Sequence, residues 1–516
     1  MSTLSKDPVP GDLASRLTSD SYSQILRSSS IIGGAQGVTY LIGIVRTKLV
    51  AILLGPAGIG LVGLYHSAIS MVGSFSTLGI TSSGVKEIAE ANGKGNPAAV
   101  AQTIKTLRRA CWVTGFLGWL LSIALSYPLS LWIFDSGDRA WPIALLGITL
   151  LLGSISGGQR ALLQSVRKIG DLARLNVISA IVSTVVAVGI YLWLGENGIV
   201  PVLITTAALN IIVSWWFARK VEIVVVTQTL AATLRNSKKL IGLGLAFMWS
   251  GIVSAGVALA IRSLIIREIG LDANGIYQAA WGISGMFGGF ILSAMGADFY
   301  PRLTAVGEDN AAVNKLVNEQ TEIGVLLGLP GIVGTLALAP WMMQVFYTSE
   351  FLPGAELLPC FVLGVFGRVV SAPMSYILLA KGASRGFAAT ETVSATLHLG
   401  LCIVFLHNLG LWGISLAFAC LYGVHVLGML KVSAHLSNFR WTPAVLKLLI
   451  ISTILVTTEF FALKHFSGLA GVCAGGVLFT ISGIFSLRGI ASRLGKAHKL
   501  VQLACRIPGG RKLCGI

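Results

Sequence analysis

Basic side chains occur inside segments of the chain that are otherwise apolar enough to cross a lipid bilayer. Arg46 and Lys48 lie in TYLIGIVRTKLVAILLG, Arg262 lies in VALAIRSLIIREIG, and Arg368 lies in FVLGVFGRVVSAPM. A cation at the centre of a bilayer costs about 2.5–3.5 kcal/mol on insertion scales, so such residues usually face a bundle interior or a water-filled cavity. These side chains therefore predict a pathway for an anionic molecule.

The first two cations flank a polar stripe on their helix. Gly55 marks the outer end of this segment, which puts Arg46 roughly 13 Å deep at 1.5 Å per residue. Lys48 lies closer to the same end, and snorkelling to the outer interface is its alternative. The stripe between the two cations comprises Gln36, Tyr40, Gly43 and Thr47. We expect Arg46 and Lys48, and more weakly Gln36 and Tyr40, to face a cavity.

Arg262 and Arg368 differ in their surroundings. Arg262 lies roughly 12 Å from Gly270 and shares a helix face with small residues, which suit either a cavity wall or close helix packing. Arg368 has no acidic neighbour in sequence, and its alternative is a structural ion pair. The acidic candidates for that pair are Asp298, Glu391 and Glu459.

Weaker candidates are aromatic or titratable. Tyr277 and Gln278, followed by Trp281, begin an apolar segment and are suited to contact a sugar, but an interfacial aromatic belt explains them equally well. Three intramembrane histidines are able to relay protons, although lone helix histidines are more often packed or hydrogen-bonded. These histidines are His66, His398 and His425.

The elements that carry these residues are membrane helices. Of 516 residues, 54% are hydrophobic and 11% are charged, with a mean hydropathy of +0.80. Repeated apolar runs of about 20 residues are typical of an all-α polytopic membrane protein. The pattern predicts about 14 transmembrane spans, at 29–54, 57–82, 110–134, 140–160, 173–195, 199–218, 241–266, 276–300, 320–346, 357–380, 387–407, 411–431, 443–464 and 468–487.

Charge indicates topology. The net charge of +17 comes mostly from Lys and Arg in loops on one side, which the positive-inside rule places in the cytoplasm together with both termini. Membrane topology therefore explains the positive charge without nucleic-acid binding, and membrane lipids are the expected partners of the basic tail.

No motif for a metal or a nucleotide is present. The 7 cysteines show no metal or disulfide spacing, and there is no ATP-binding G-x4-G-K-[ST] motif. We therefore expect no metal and no cofactor, and coupling to H⁺ or Na⁺ stays open.

An internal repeat divides the spans. An offset of 215 residues aligns spans 1–6 with spans 7–12 and pairs Gly55 with Gly270 and Gly195 with Gly410. It also pairs Gly60 with Gly275, Gly73 with Gly288 and Gly198 with Gly413. Six spans per half give a parallel repeat, which predicts two six-helix lobes around a central cavity, plus two extra helices. The predicted regions are a cytosolic tail (1–28), an N-lobe (29–240), a C-lobe (241–434), spans 13–14 (435–487) and a basic cytosolic tail (488–516).

Three segments resemble a known family. These are TKLVAILLGPAGIGL with the following GVKEIAEA, then ALLQSVRKIGDLARLN, and IRSLIIREIGLDANGIYQAAWGIS. They resemble Wzx-type O-antigen and polysaccharide flippases of the multidrug/oligosaccharidyl-lipid/polysaccharide (MOP) exporter superfamily. The resemblance covers residues 30–432 and implies two six-helix lobes with a cationic cavity, in which Lys48 and Arg262 are cavity cations. Spans 13–14 look more like the lipid II flippase arrangement.

The resemblance implies a flippase of the bacterial inner membrane that moves undecaprenyl-diphosphate-linked oligosaccharide to the periplasmic leaflet by alternating access. Arg46, Lys48 and Arg262 would hold the diphosphate, with Arg368 as a further candidate. Polysaccharide polymerase or assembly proteins are candidate partners. The alternatives are a cation-coupled multidrug antiporter, which needs intramembrane carboxylates, and a lipid II-type flippase. A glycan polymerase or ligase needs a long outer loop, which the spans do not leave, so we expect no enzyme, and a structural scaffold would not need such costly charges.

Overall fold

A computed structural model describes residues 10–77, 80–81, 84, 87–88, 97–166, 168–221, 226–294, 299–465 and 469–494. Among these residues the chain is almost entirely helical and contains no β-strand. For residues 10–36 only the backbone is described, so the side chain of Gln36 lies outside the described residues, as does all of Asp298. The basic tail is described only as far as Leu494.

The helices follow the predicted spans closely. In the first half they are α1 (Pro10–Ser76), α2 (Pro97–Phe134), α3 (Ala140–Leu146), α4 (Ile148–Ser165), α5 (Ile169–Leu194) and α6 (Ile199–Ala218). They continue with α7 (Leu230–Glu268), α8 (Leu271–Ala294), α9 (Tyr300–Ala305), α10 (Asn310–Ala337) and α11 (Ala339–Phe346). The last are α12 (Leu358–Ala380), α13 (Ser384–Leu409), α14 (Leu411–Ser437), α15 (Pro443–His465) and α16 (Leu469–Leu494).

Eleven helical segments of the described chain are long and apolar enough to cross a membrane. Two of them, Gly37–Ser76 and Gly170–Ala218, each contain two predicted spans. The first of these is interrupted at Gly55, where the backbone has φ 63° and ψ −171° and Pro56 follows. Because a positive φ is strained for residues with a Cβ, glycine permits this break at the predicted outer end of span 1. The all-α polytopic membrane fold is therefore confirmed.

The repeat appears as equivalent local contacts in the two halves. A Cβ at Gly73 would lie 2.9 Å from Leu150, and one at Gly288 would lie 2.6 Å from Val365, the residue 215 positions beyond Leu150. The turns before α6 and α14 also match. Gly195 and Gly410 both have positive φ, 56° and 62°, at the C-terminal ends of α5 and α13. Helix pairs with the same close approach at the same offset indicate that both halves are built on one plan.

The chain separates into two compact units. One contains residues 1–53, 72–131 and 137–248, and the other contains residues 54–71, 132–136 and 249–516. The division near residue 248 lies a few residues beyond the predicted lobe boundary at 240. In the second unit α15 and α16 pack against α10, with Leu448 and Val456 in the same apolar cluster as Leu329 and Leu336. The two extra helices are thus part of the second unit.

One close helix crossing within the second unit depends on glycine. The outer part of α1 meets α8 where a Cβ at Gly60 would lie 2.5 Å from the carbonyl oxygen of Leu271 and 2.9 Å from the backbone nitrogen of Gly275. Asn274, which is fully buried, donates its Nδ2 hydrogen to the carbonyl oxygen of Gly60 at 2.8 Å. Two repeat-related glycines therefore face each other, and small residues at such positions let membrane helices approach closely.

We expect Gly275→Ala to lower the thermal stability of the detergent-solubilised protein. A Cβ at this position would overlap the carbonyl oxygen of Pro56, and overpacking typically costs about 1–3 kcal/mol. The control is Gly285→Ala in the same helix, where a Cβ would meet nothing within 4 Å. Thermal unfolding followed by fluorescence-detected size exclusion measures the difference. Equal melting temperatures for the two variants would contradict the close crossing.

Candidate functional site

A cavity of about 400 Å³ that is lined by charged as well as apolar side chains lies inside the second unit. Its walls come from the outer part of α1 and from α7, α8, α12, α13 and α14. The acidic, basic and histidine side chains that line it are His66, Arg262, Arg368, Glu391, His398 and His425. Two of the four cations singled out in the sequence thus lie on one cavity.

Arg262 is held firmly on the wall formed by α7. The residue is only 6% exposed, and its Nε and Nη2 donate to Oε1 of Gln278 at 3.2 and 2.6 Å. Its Nη1 donates to the carbonyl oxygen of Ala258 at 3.1 Å, and its Cζ lies 5.4 Å from the centroid of the Tyr277 ring. Neutral acceptors and an aromatic ring therefore fix the guanidinium without neutralising its charge.

The glycine crossing between α1 and α8 positions Gln278. One turn beyond the contact of Gly60 with Gly275, a Cβ at Gly63 would lie 2.9 Å from Oε1 of Gln278. The repeat offset relates Gly63 to Gln278, so a glycine in one half makes room for the amide of the other. The amide oxygen in turn accepts hydrogen bonds from Arg262 on the neighbouring helix, α7. Backbone packing therefore decides where the guanidinium is held.

Arg368 is exposed and lines the cavity from α12. Among the described residues, no carboxylate oxygen lies within 4.0 Å of its nitrogens. Glu391 shares the cavity and accepts a hydrogen bond from Oγ of Ser250 at 3.2 Å. The ion pairs with Glu391 and Glu459 considered as an alternative are therefore not formed, whereas Asp298 lies outside the described residues.

Glu459 lies elsewhere in the second unit. Its side chain is 0% exposed, and neither carboxylate oxygen has a hydrogen-bond partner among the described residues. A Cβ at Gly475 of α16 would lie 2.9 Å from its Oε1 and 2.7 Å from the Cβ of Ala337. This acidic residue is thus packed between α10, α15 and α16 and does not line the cavity.

Aromatic rings form another part of the cavity wall. Trp281 stacks on Tyr277 with ring centroids 6.2 Å apart and meets Phe418 edge-on at 4.9 Å. Tyr422 lies 4.9 Å from Phe418 and 5.6 Å from His425. These contacts place Tyr277 and Trp281 among cavity residues of the second unit rather than in an isolated belt. The wall is therefore suited to stacking against the flat face of a ligand ring.

Two cavity histidines have different environments. Nδ1 of His425 is 2.9 Å from Oγ of Ser394, in a hydrogen bond whose direction depends on the histidine tautomer. His398 packs against Phe418 at 5.7 Å, and its Nε2 is buried without a described partner. Sequence reasoning treated the histidines as lone residues and did not place Glu391 or Ser394 in a site. Their shared cavity depends on helix packing, for which the sequence gives no direct signal.

The other predicted site residues belong to the first unit. Arg46 and Lys48 are half-buried on α1, and Tyr40 is exposed on the same helix. The expectation that Arg46, Lys48 and Arg262 act together stays a prediction. Sequence reasoning also ranked Arg368 below these three, whereas the structure places Arg368 on the same cavity as Arg262.

A further intramembrane cation was missed in the sequence. Arg160 of α4 is half-buried, and its guanidinium donates to Oδ1 of Asn210 at 3.1 Å and to Oδ1 of Asn176 at 3.4 Å. The signal was an asparagine within each of two mostly apolar helices, Asn176 in α5 and Asn210 in α6. Like Arg262, this arginine is held by side-chain amides.

We expect Gln278→Leu to destabilise the folded protein by about 1–3 kcal/mol, because it removes the acceptor of two guanidinium hydrogen bonds in a buried place. Thermal unfolding in detergent measures this loss. Tyr277→Phe is the matched control, since it keeps the ring next to Arg262 and should leave the melting temperature almost unchanged. A melting temperature for Gln278→Leu equal to that of the wild type would show that Arg262 does not depend on this amide.

Comparisons with known proteins give a family from the sequence and a fold from solved structures. A family model described as "Polysaccharide biosynthesis protein" matches residues 49–356. The chain is 21% identical over 396 residues to the lipid III flippases of Escherichia coli (strain K12) and Shigella flexneri, which covers 74% of this chain and 92% of each relative.

Solved structures share the fold at low identity. A lipid II flippase, MurJ, in an inward closed conformation superposes with a TM-score of 0.63 at 15% identity, covering 90% of this chain and 100% of that one. An inward-facing multidrug resistance MATE family transporter of the MOP superfamily gives 0.61 at 15% identity, covering 78% and 96%. These structures therefore confirm the predicted two-lobe fold.

Proposed function

Because the chain belongs to the polysaccharide biosynthesis protein family, we propose that it is a flippase for a lipid-linked oligosaccharide. The proposed substrate is an O-antigen-like repeat unit on undecaprenyl diphosphate. The protein would move it from the cytoplasmic to the periplasmic leaflet by alternating access. The bacterial inner membrane and cytoplasmic termini are part of this proposal, as is the absence of enzymatic activity.

The observation that carries the proposal is the presence of Arg262 and Arg368 on one cavity inside a membrane protein. With neutral histidines, two arginines and one glutamate leave this cavity a surplus of one positive charge. Cations at membrane depth are costly, and they usually mark a ligand site or a transport pathway. A diphosphate supplies the opposite charge.

The hydrogen bonding of Arg262 leaves capacity for such a ligand. A guanidinium has five N–H donors, and Arg262 uses three of them on Gln278 and Ala258. Arg368 has no described hydrogen bond from its guanidinium. Arginine matches phosphate geometry better than lysine because two parallel N–H groups reach two oxygens at once. Both arginines are thus suited to contact phosphate oxygens.

The remaining parts of the substrate fit the other surroundings. Trp281 and Tyr422 give the cavity aromatic surface against which a sugar ring can pack. The polyprenyl tail would stay in the lipid. Arg46 and Lys48 would add cations from the first unit in the course of alternating access. The lipid III flippases among the relatives support a lipid-linked glycan as the substrate class.

We expect Arg262→Ala and Arg368→Ala each to reduce surface polysaccharide by about tenfold or more in cells that lack the native gene. The reason is the loss of a charged hydrogen bond to the diphosphate, worth about 1.5–3 kcal/mol. Arg368→Lys keeps the charge and should retain part of the export. Gel analysis of extracted glycan, normalised to membrane expression of each variant, measures the effect.

The matched control is Arg174→Ala, which removes an arginine whose side chain is 74% exposed. It should export glycan as the wild type does. Arg368 is exposed, so Arg368→Ala should fold normally even where Arg262→Ala does not. Wild-type glycan levels in well-expressed Arg368→Ala and Arg262→Ala proteins would refute the diphosphate site.

A cation-coupled multidrug antiporter of the same superfamily is the second candidate. Glu391 favours it, because an intramembrane carboxylate in a cavity can bind H⁺, Na⁺ or a cationic drug, and three histidines lie nearby. We expect Glu391→Gln to leave surface polysaccharide within about twofold of the wild type, because the substrate contacts proposed above are made by arginines. Abolished drug resistance with unchanged glycan export would favour the antiporter.

A separate experiment distinguishes an O-antigen flippase from a lipid II-type flippase. The protein is expressed in strains that each lack one of these flippases, and the strain whose glycan export is restored identifies the substrate.

A further inference from the structure

A second cavity, of about 700 Å³, lies inside the first unit among α2, α4 and α6. Its deeper lining is apolar and includes Leu151, Ile155 and Ile211. Its other end carries Arg108 and Arg219. Ile211 lies eight residues before Arg219, which is roughly 12 Å along a helix. The cavity therefore extends from a basic mouth toward the middle of the membrane.

Indole rings hold one of the two arginines in place. Cζ of Arg219 lies 3.8 Å from the ring centroid of Trp216 and 4.7 Å from that of Trp215. A cation–π contact orients a guanidinium through its face and leaves its N–H groups available. Among the described residues, no carboxylate oxygen lies within 4.0 Å of Arg108 or Arg219. The mouth thus presents two arginines that no described acidic residue neutralises.

More positive charge surrounds the mouth. Lys220 follows Arg219 directly, with Nζ 4.9 Å from the centroid of the Phe217 ring, and Nζ of Lys168 donates to the carbonyl oxygen of Lys220 at 2.9 Å. The distribution of Lys and Arg along the chain predicts that this end of α6 lies on the cytoplasmic side. Anionic lipids give that leaflet a negative surface potential, which attracts such residues.

We propose that this cavity binds an anionic phospholipid from the cytoplasmic leaflet. The headgroup phosphate lies between Arg108 and Arg219, and an acyl chain lies along Leu151, Ile155 and Ile211. An interfacial aromatic belt accounts for Trp112 and Trp215, which are 58% and 51% exposed, but not for two arginines at the mouth of an apolar cavity. A soluble phosphate would use the arginines and leave the apolar part empty. A phospholipid, with an anionic headgroup and an acyl chain, fits both the basic mouth and the apolar interior. This proposal does not depend on the transported substrate.

The test is lipid titration of the delipidated, purified full-length protein, followed by native mass spectrometry. The probes are dioleoyl-phosphatidylglycerol, dioleoyl-phosphatidylcholine, undecaprenyl diphosphate and inorganic phosphate. We expect the wild type to bind phosphatidylglycerol about tenfold or more tightly than phosphatidylcholine, and the Arg108→Ala/Arg219→Ala protein to lose that preference. The charge-matched control, Arg174→Ala/Arg385→Ala, removes two exposed arginines elsewhere and should keep it.

A second variant tests the apolar part without touching the arginines. Ile155→Trp narrows the apolar part of the cavity and should weaken phosphatidylglycerol binding by about tenfold or more, because a bound acyl chain loses its apolar contacts. It also covers the case in which the double variant fails to fold. An unchanged lipid preference in both variants would overturn the proposal. So would binding of inorganic phosphate as tight as that of phosphatidylglycerol, or a stronger preference for undecaprenyl diphosphate.

Discussion

The cost of placing a guanidinium inside a membrane is the constraint on which the rest of this structure depends. Two described arginines within the helical spans are held by neutral side chains, and a third, directly after the C-terminal end of α6, contacts indole rings. Arg262 is held by the amide of Gln278, Arg160 by two asparagine amides, and Arg219 by two indole rings. Neutral partners satisfy the hydrogen bonds or shield the face of the cation and leave its charge intact. Such cations remain able to attract an anion.

Close helix packing makes this arrangement possible. Because Gly60 and Gly275 have no side chains, α1 and α8 approach until a buried asparagine bonds across the contact. The same approach leaves room at Gly63 for the amide of Gln278. A membrane gives helices no hydrophobic reason to associate, so small residues and interhelical hydrogen bonds supply the association. The glycines at this helix crossing therefore also set the position of Gln278, and through it the position of the Arg262 guanidinium.

Each of the two cavities contains a pair of arginines, but the residues around the two pairs differ. The cavity with Arg262 and Arg368 has polar and aromatic walls, which suit a diphosphate with attached sugars. The cavity with Arg108 and Arg219 has an apolar interior, which suits a lipid whose charge stays at the surface. In both proposals, arginine binds the anionic end of an amphipathic ligand. The difference lies in what surrounds the charge.

The sequence by itself determined the helices, the repeat and the family. Span positions depend on hydropathy along the chain, and membrane helices satisfy their backbone hydrogen bonds locally, so each span could be assigned without its neighbours. One offset of 215 residues aligned the span boundaries together with glycine pairs such as Gly73 with Gly288, and the structure shows an equivalent close contact at both of these glycines.

Only the tertiary structure decided which polar residues share a cavity. A helical wheel gives the faces of one helix but not the neighbour that each face meets, so Arg368 could not be placed beside Arg262, nor Glu391 and the histidines with them. The partners of Arg262 and Arg160 were likewise hidden, because they lie on other helices and are uncharged. Long-range packing, rather than local pattern, sets those contacts.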